Sequence, residues 1–95
     1  MRLELSRYVE SDADAIAEFI AQDNPQRAVM VVREIWRKIL KIGEQPLVYQ
    51  LRPEIGEDAR LAVVGRNVIL FRVFSDAVRI ERVVYGGRDL PALFE

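Results

Sequence analysis

The side chains best able to do chemistry in this chain are arginines, which gather in its last third. Residues 60–88 contain no lysine and six arginines: Arg60, Arg66, Arg72, Arg79, Arg82 and Arg88. A guanidinium makes planar, two-pronged contacts to carboxylates and phosphates that an ammonium group cannot reproduce. As a cluster these arginines would suit an acidic protein segment or a phosphate backbone. For any single arginine, the simpler interpretation is that it is solvated or pairs with an acidic side chain of the same chain.

The residues that conventional catalysis needs are largely missing, because the chain contains neither cysteine nor histidine. It therefore lacks a thiol nucleophile, thiolate metal ligands and the side chain best suited to move protons near neutral pH. None of its three serines, Ser6, Ser11 and Ser75, stands in a Gly-x-Ser-x-Gly motif. We expect no metal and no cofactor, and most enzyme classes are disfavoured.

Length and composition indicate one globular unit. A chain of 95 residues closes around a single core, so residues 1–95 are predicted to form one domain. No apolar run approaches the roughly 20 residues of a membrane-spanning helix, and the N-terminus lacks the apolar stretch of a signal peptide. We therefore expect a cytoplasmic protein.

The hydrophobic pattern predicts a strand and a helical hairpin in the first half. A strand at about residues 2–8 precedes a helix that starts at Ser11, with Ser11 as its cap and Asp14 completing a capping box. Asn24 then caps a second helix, which Pro25 opens and which ends near residues 42–43. The apolar stripe of that helix comprises Ala28, Val31, Val32, Ile35, Ile39 and Ile42, widened by Trp36 and Leu40.

Three strands are predicted after an irregular segment at residues 44–58. They cover residues 60–64, 67–74 and 78–85, with tight turns at residues 65–66 and 75–76. The apolar run at residues 68–71 indicates a central strand covered on both faces, whereas Val78 and Ile80 alternate with Arg79 and Glu81. The predicted fold is α+β in the order β-α-α-β-β-β, with the hairpin packed on an antiparallel-rich sheet.

Four segments resemble the RelE/ParE superfamily of toxins, and its ParE-type branch most of all. They are the helix-break-helix junction at residues 19–28, residues 52–56 together with Arg60, the strand-turn-strand at residues 64–73, and residues 82–90 with their Gly-x-Arg-Asp-Leu signature. These segments follow one another in the family's order along nearly the whole chain. The resemblance implies a RelE/ParE-like fold and the toxin component of a type II toxin–antitoxin system.

The superfamily divides by target, and the resemblance leaves its two branches to be weighed. The RelE-like branch is a ribosome-dependent mRNA endoribonuclease, whereas the ParE-like branch blocks DNA gyrase without nuclease activity. Arg60 and Arg88 match arginines of the nuclease branch, but residues 51–54 lack its lysines and Phe94 replaces its tyrosine. Phenylalanine cannot transfer a proton and arginine is a poor base. We predict a gyrase inhibitor that is not an enzyme. The alternatives are the endoribonuclease and a non-toxic module that only binds an antitoxin.

The resemblance also implies a ParD-like antitoxin, whose disordered C-terminal segment folds onto the toxin. We expect the helical hairpin and the sheet edge to receive that segment, and the arginine-rich sheet to favour an acidic one. Candidate antitoxin-binding residues are Phe19, Trp36, Arg66, Arg72 and Arg79. Candidate target-binding residues are Arg60, Arg82, Arg88 and Phe94. Direct sequence-specific DNA binding by this chain alone is not expected.

Overall fold

A computed structural model describes residues 1–86. Its elements follow the predicted order: β1 (Arg2–Leu5), α1 (Val9–Ala21), α2 (Pro25–Glu44), β2 (Ala59–Val64), β3 (Asn67–Val73) and β4 (Ala77–Tyr85). A short 3-10 helix at Pro46–Val48, which the sequence pattern did not predict, lies in the segment between α2 and β2. Within residues 1–86, neither helix combines the length and apolarity needed to cross a membrane.

The four strands form one mixed sheet in the order β1-β4-β3-β2. β2, β3 and β4 are antiparallel neighbours, whereas β1 runs parallel to β4 and pairs Arg2 with Ala77 through Leu5 with Ile80. The first strand therefore completes the sheet beside the last one. This arrangement confirms the α+β, antiparallel-rich prediction.

The main core lies between the helices and one face of the sheet. Its central buried side chains are Val9, Ile35, Ile39, Ile42, Ile69, Phe71, Ile80 and Val83. A smaller cluster on the opposite face joins Leu70 to Ile55 and Ala59. Since Leu70 and its neighbours Ile69 and Phe71 are all fully buried, the prediction that β3 is covered on both faces is confirmed.

The start of α1 differs from the prediction. β1 ends at Leu5, and α1 begins at Val9 instead of Ser11. The Ser6 hydroxyl accepts the Tyr8 amide at 3.2 Å, so Ser6 supports the junction. Ser11 lies within the first turn and its hydroxyl donates back to the Tyr8 carbonyl at 3.0 Å. Ser11 is thus an internal helical residue whose side chain bonds to the preceding turn, and the predicted cap was wrong.

The start of α2 follows the prediction. The Asn24 side chain accepts the Arg27 amide at 3.1 Å, and Pro25 occupies the first helical position, where its missing N–H is harmless. The predicted stripe is largely buried, with Ala28, Val31, Ile35, Ile39 and Ile42 in the interior and Val32 half-buried. Leu40 was wrongly included, since it is 60% exposed on the outer side of the helix.

A β-bulge in β4 interrupts the alternation that the sequence predicted. Val78 and Ile80 are buried and Arg79 is exposed, as expected. The pairing with β3 then shifts, because Phe71 lies opposite Ile80 and Leu70 lies opposite Arg82, which leaves Glu81 as the additional residue. Val83 consequently joins Ile80 in the main core, so the two ends of β4 present their side chains in different registers.

Candidate partner-binding groove

A groove of about 890 Å³ opens between the helical hairpin and the end of the sheet that carries the β2–β3 turn. Its apolar lining includes Ile16, Phe19, Ile20, Val31, Val83 and Tyr85. Phe19 is 73% exposed and Tyr85 54% exposed, although both are large aromatic side chains. Exposed aromatic groups beside a preformed apolar groove are typical of a protein-binding surface.

Charged side chains mark the rim of this groove. Arg27 of α2 and Arg66 of the β2–β3 turn contribute positive charge, and Glu34 and Asp12 contribute negative charge. The turn that presents Arg66 depends on Gly65, whose φ of +61° lies in the left-handed region that favours glycine. The Arg66 carbonyl accepts the Gly86 amide at 2.9 Å, which joins this turn to the end of β4.

Asp12 connects α1 to β4 at the edge of the groove. Its carboxylate accepts Arg82 Nε at 2.8 Å and Arg82 Nη2 at 2.9 Å, and it also accepts the Val83 amide at 3.0 Å. The side chains of Arg82 and Asp12 are only 20% and 11% exposed. These hydrogen bonds raise the pKa of Arg82 above its already high ordinary value, while burial opposes the shift. Arg82 therefore stays cationic and paired.

Ser6 and Asp12 together provide hydrogen-bond partners for the edge of β4 beyond the end of β1. The Ser6 amide donates to the Ile80 carbonyl at 2.9 Å, and the Ser6 hydroxyl donates to the Glu81 carbonyl. The Asp12 carboxylate then accepts the Val83 amide. Ser6 and Asp12 thus supply the hydrogen bonds that a longer β1 would otherwise make with β4. The groove begins where this replacement stops, since Val83, Val84 and Tyr85 all line it.

The structure brings together two of the five candidate antitoxin-binding residues. Phe19 and Arg66 both line the groove. Trp36 is half-buried and packs against the main core. Arg79 lies on the sheet beside Glu4, 3.4 Å from its carboxylate, and Arg72 is its direct neighbour across β3 and β4. Trp36, Arg72 and Arg79 are therefore not part of the groove.

The candidate target-binding residues are not assembled into one site within residues 1–86. Arg82 is bonded to Asp12, and Arg60 donates from Nη1 to the Tyr49 carbonyl. β3 separates the strands that carry these two arginines. Arg88 and Phe94 lie outside the described residues, so both remain predictions.

Arg60 has a structural role in joining the irregular segment to β2. Its guanidinium bonds to the Tyr49 carbonyl, and the Tyr49 ring packs edge-on against Phe71 with the ring centres 5.5 Å apart. The Arg52 amide adds a bond of 2.7 Å to the Ala59 carbonyl. Arg60 Nε is buried without a hydrogen-bond partner in the described part of the chain. The guanidinium is thus held among packed groups.

Residues 51–54 offer little general-base chemistry. Arg52 and Glu54 form a pair of 2.7 Å in which both side chains are exposed. The hydrogen bond from Arg52 lowers the pKa of Glu54, so this carboxylate is ionised at neutral pH and is a weaker base than a free glutamate. Over residues 1–86, no cluster of three or more acidic side chains is arranged as a metal site.

Sequence reasoning missed most of the groove. Ile16 and Ile20, on the apolar stripe of α1, line the groove as well as packing on the core. Arg27 and Glu34 were not singled out at all. The signal that could have found the groove was Phe19, a large apolar side chain that stands beside the stripe of α1 rather than on it.

Comparison with known proteins adds the family. A sequence-family model described as the ParE toxin of the type II toxin–antitoxin system parDE matches residues 3–90. A solved structure described as the chromosomal ParDE TA system from P. aeruginosa superposes with a TM-score of 0.77 at 22% identity, over 90% of this chain and 95% of that one. That identity supports a shared fold only. No curated protein sequence matches the chain. Because the family model covers nearly the whole chain, this protein belongs to the ParE toxin family of type II toxin–antitoxin systems.

Proposed function

We propose that this protein inhibits DNA gyrase by binding to it. We further propose that a ParD-like antitoxin neutralises the toxin by binding its C-terminal segment in the groove. The observation that carries the antitoxin half is the groove itself, which is apolar, open and already formed in the single chain. Membership of the ParE toxin family supports the gyrase half. Neither half requires the protein to perform chemistry.

The way the chain uses its arginines supports binding over RNA cleavage. A nuclease would need Arg60 and a proton-transferring group to meet at the scissile phosphate. Arg60 is instead bonded to the Tyr49 carbonyl, and Arg82 is bonded to Asp12. Each guanidinium therefore commits part of its donor set to a group inside the protein.

The chemistry of the antitoxin segment follows from the groove. Its floor requires apolar side chains, and an amphipathic helix or strand supplies these on one face. Asp12 is already neutralised by Arg82, so Arg27 and Arg66 outnumber Glu34 on the rim and favour acidic groups on the flanks of that segment. We therefore expect the segment to be net acidic, with at least one acidic side chain within reach of Arg66.

The decisive experiment is a supercoiling assay with purified gyrase, titrated with this protein alone and then with its antitoxin. Inhibition that the antitoxin relieves is the expected result. If the folded, antitoxin-free protein leaves supercoiling intact, the gyrase proposal fails. Cleavage of translated mRNA would then identify the nuclease alternative, and unchanged growth on induction would identify a non-toxic module.

A variant pair tests the groove separately. Phe19→Ala removes the most prominent aromatic group of the groove, and we expect it to weaken antitoxin binding by about tenfold or more. Phe74→Ala is the matched control, because Phe74 is 39% exposed but does not line the groove. Titration calorimetry measures both affinities. Equal losses for the two variants would contradict this location for the antitoxin.

A further inference from the structure

Two stripes of like charge lie on the helical hairpin, outside the groove. α2 exposes Arg33, Arg37 and Lys41, and α1 exposes Glu10, Asp14 and Glu18. Residues four apart lie on one side of a helix, about 6 Å from each other along its axis. Each stripe therefore spans roughly 12 Å, with three charges of one sign in the same spacing.

Within residues 1–86, neither stripe has an ion-pair partner. The ion pairs that the structure shows for residues 1–86 use Arg2, Arg52, Arg79 and Arg82, and none uses a member of either stripe. Like charges four residues apart destabilise a helix, so each stripe is unfavourable in the isolated chain. A facing stripe of opposite charge would remove that repulsion.

Apolar side chains accompany the basic stripe. Val29, Met30 and Leu40 are 58%, 55% and 60% exposed, and helical geometry places them on the same outer side of α2 as Arg33 and Arg37. Most of α2's remaining large apolar groups are buried in the core. The outer side thus combines three exposed apolar groups with three cations, which suits an acidic helix as its partner.

The geometry points to a second copy of this chain as that partner. We propose that α1 of one copy packs antiparallel on the outer side of α2 of another, about a twofold axis. The contact is then made twice, because every chain carries both stripes. In this antiparallel arrangement Glu10 would face the partner subunit's Lys41, Asp14 would face the partner subunit's Arg37, and Glu18 would face the partner subunit's Arg33. None of these six side chains lines the groove, so the dimer leaves the groove residues outside the contact.

Charge reversal tests this pairing with the full-length, antitoxin-free chain. One variant, Arg33→Glu/Arg37→Glu/Lys41→Glu, carries two acidic stripes, and a second, Glu10→Lys/Asp14→Lys/Glu18→Lys, carries two basic ones. Sedimentation velocity should show wild-type dimers in about 0.01 M salt that dissociate in about 1 M salt, where charges are screened. Each variant alone should bind itself about tenfold or more weakly than wild type does. An equimolar mixture of the two should restore the dimer.

A third variant separates the pairing from general attraction. Asp23→Lys/Glu57→Lys reverses two exposed acidic residues that lie outside both stripes. It should dimerise like wild type and should not pair preferentially with the acidic variant. A monomeric wild type in low salt, growth beyond the dimer, or a mixture that stays monomeric would each overturn the proposal. These outcomes do not depend on gyrase or on the antitoxin.

Discussion

The arginines of the sheet and the cations of α2 show two opposite uses of positive charge. Along β4, Arg79 and Arg82 reach the carboxylates of Glu4 and Asp12, which stand 75 and 70 residues away in the chain. Along α2, Arg33, Arg37 and Lys41 have no ion-pair partner in the described residues. The region that looked like a binding surface in the sequence is thus largely paired, and the one that drew no attention is open.

The difference arises from how each element distributes its side chains. A sheet brings together side chains from neighbouring strands and from the helix packed on it, so Arg79 can meet Glu4 of β1 and Arg82 can meet Asp12 of α1. An exposed helix face meets only its own neighbours three or four residues away. A run of like charges at that spacing therefore stays unpaired until another molecule covers it.

The largest expected effect is the loss of the link between α1 and β4. Asp12→Ala leaves a half-buried Arg82 without its partner and the Val83 amide without an acceptor. We therefore expect the free energy of unfolding to fall by about 3 kcal/mol. Urea titration measures this change. The neighbouring acid provides the control, because Asp14→Ala should alter the free energy of unfolding by no more than about 0.5 kcal/mol. If Asp12→Ala lowered the free energy of unfolding as little as Asp14→Ala does, Asp12 would be no more important than an exposed acid.

Arg60 should have an intermediate effect on stability. Arg60→Met keeps much of the side chain's bulk but removes its hydrogen bond to the Tyr49 carbonyl, and we expect a cost of about 1 kcal/mol. For a domain of this size, the melting temperature would fall by roughly 4–8 °C. Arg66→Met, in an exposed turn, should melt like wild type. An unchanged melting temperature for Arg60→Met would reopen a purely functional role for this residue.

The ion pair between Arg79 and Glu4 on the exposed sheet surface should contribute less to the free energy of unfolding. Arg79 is 46% exposed and approaches Glu4 at 3.4 Å, so solvent screens most of their attraction. Arg79→Gln should cost less than about 1 kcal/mol, and this cost should shrink further in high salt. Denaturation at two salt concentrations measures both. A salt-independent cost as large as that of Asp12→Ala would remove the distinction between the two pairs.

The smallest effect should have the opposite sign. Arg33 has only Arg37 as a charged neighbour three or four residues away, so Arg33→Gln removes a repulsion and should stabilise the monomer by about 0.2–0.5 kcal/mol. Arg37→Gln should stabilise by a similar amount, because it removes the repulsions from Arg33 and Lys41 but also loses the attraction to Glu34, three residues away. Thermal unfolding in dilute, low-salt solution would detect these gains in stability relative to wild type. Destabilisation by Arg33→Gln would indicate an intramolecular partner for this stripe.

Much of the fold could be predicted from the sequence, because the relevant physics acts over a few residues. Asn24 and Pro25 specify the break between the helices by capping and by a fixed backbone angle, and both effects are local. The apolar run at residues 68–71 identified the central strand in the same way. The errors were local too: Ser11 has the right chemistry for a cap, but Ser6, bonded to Glu81, stabilises an earlier start of the helix.

The candidate site could be predicted only in part. Phe19 and Arg66 were identified in the sequence, and both line the groove, whereas Arg27, Glu34 and Tyr85 become neighbours only when the hairpin meets the end of the sheet. A groove between elements is created by their packing. No pattern within a single element records it.

The sequence by itself determined the order of the elements, the apolar faces that they bury and the family to which the chain belongs. Tertiary structure alone decided that β1 pairs with β4, that a bulge shifts the register after Ile80, and that Asp12 holds Arg82. Periodicity and capping depend on neighbours within one or two turns. Strand order and ion pairing depend on groups some 70 residues apart, which only the folded chain brings into contact.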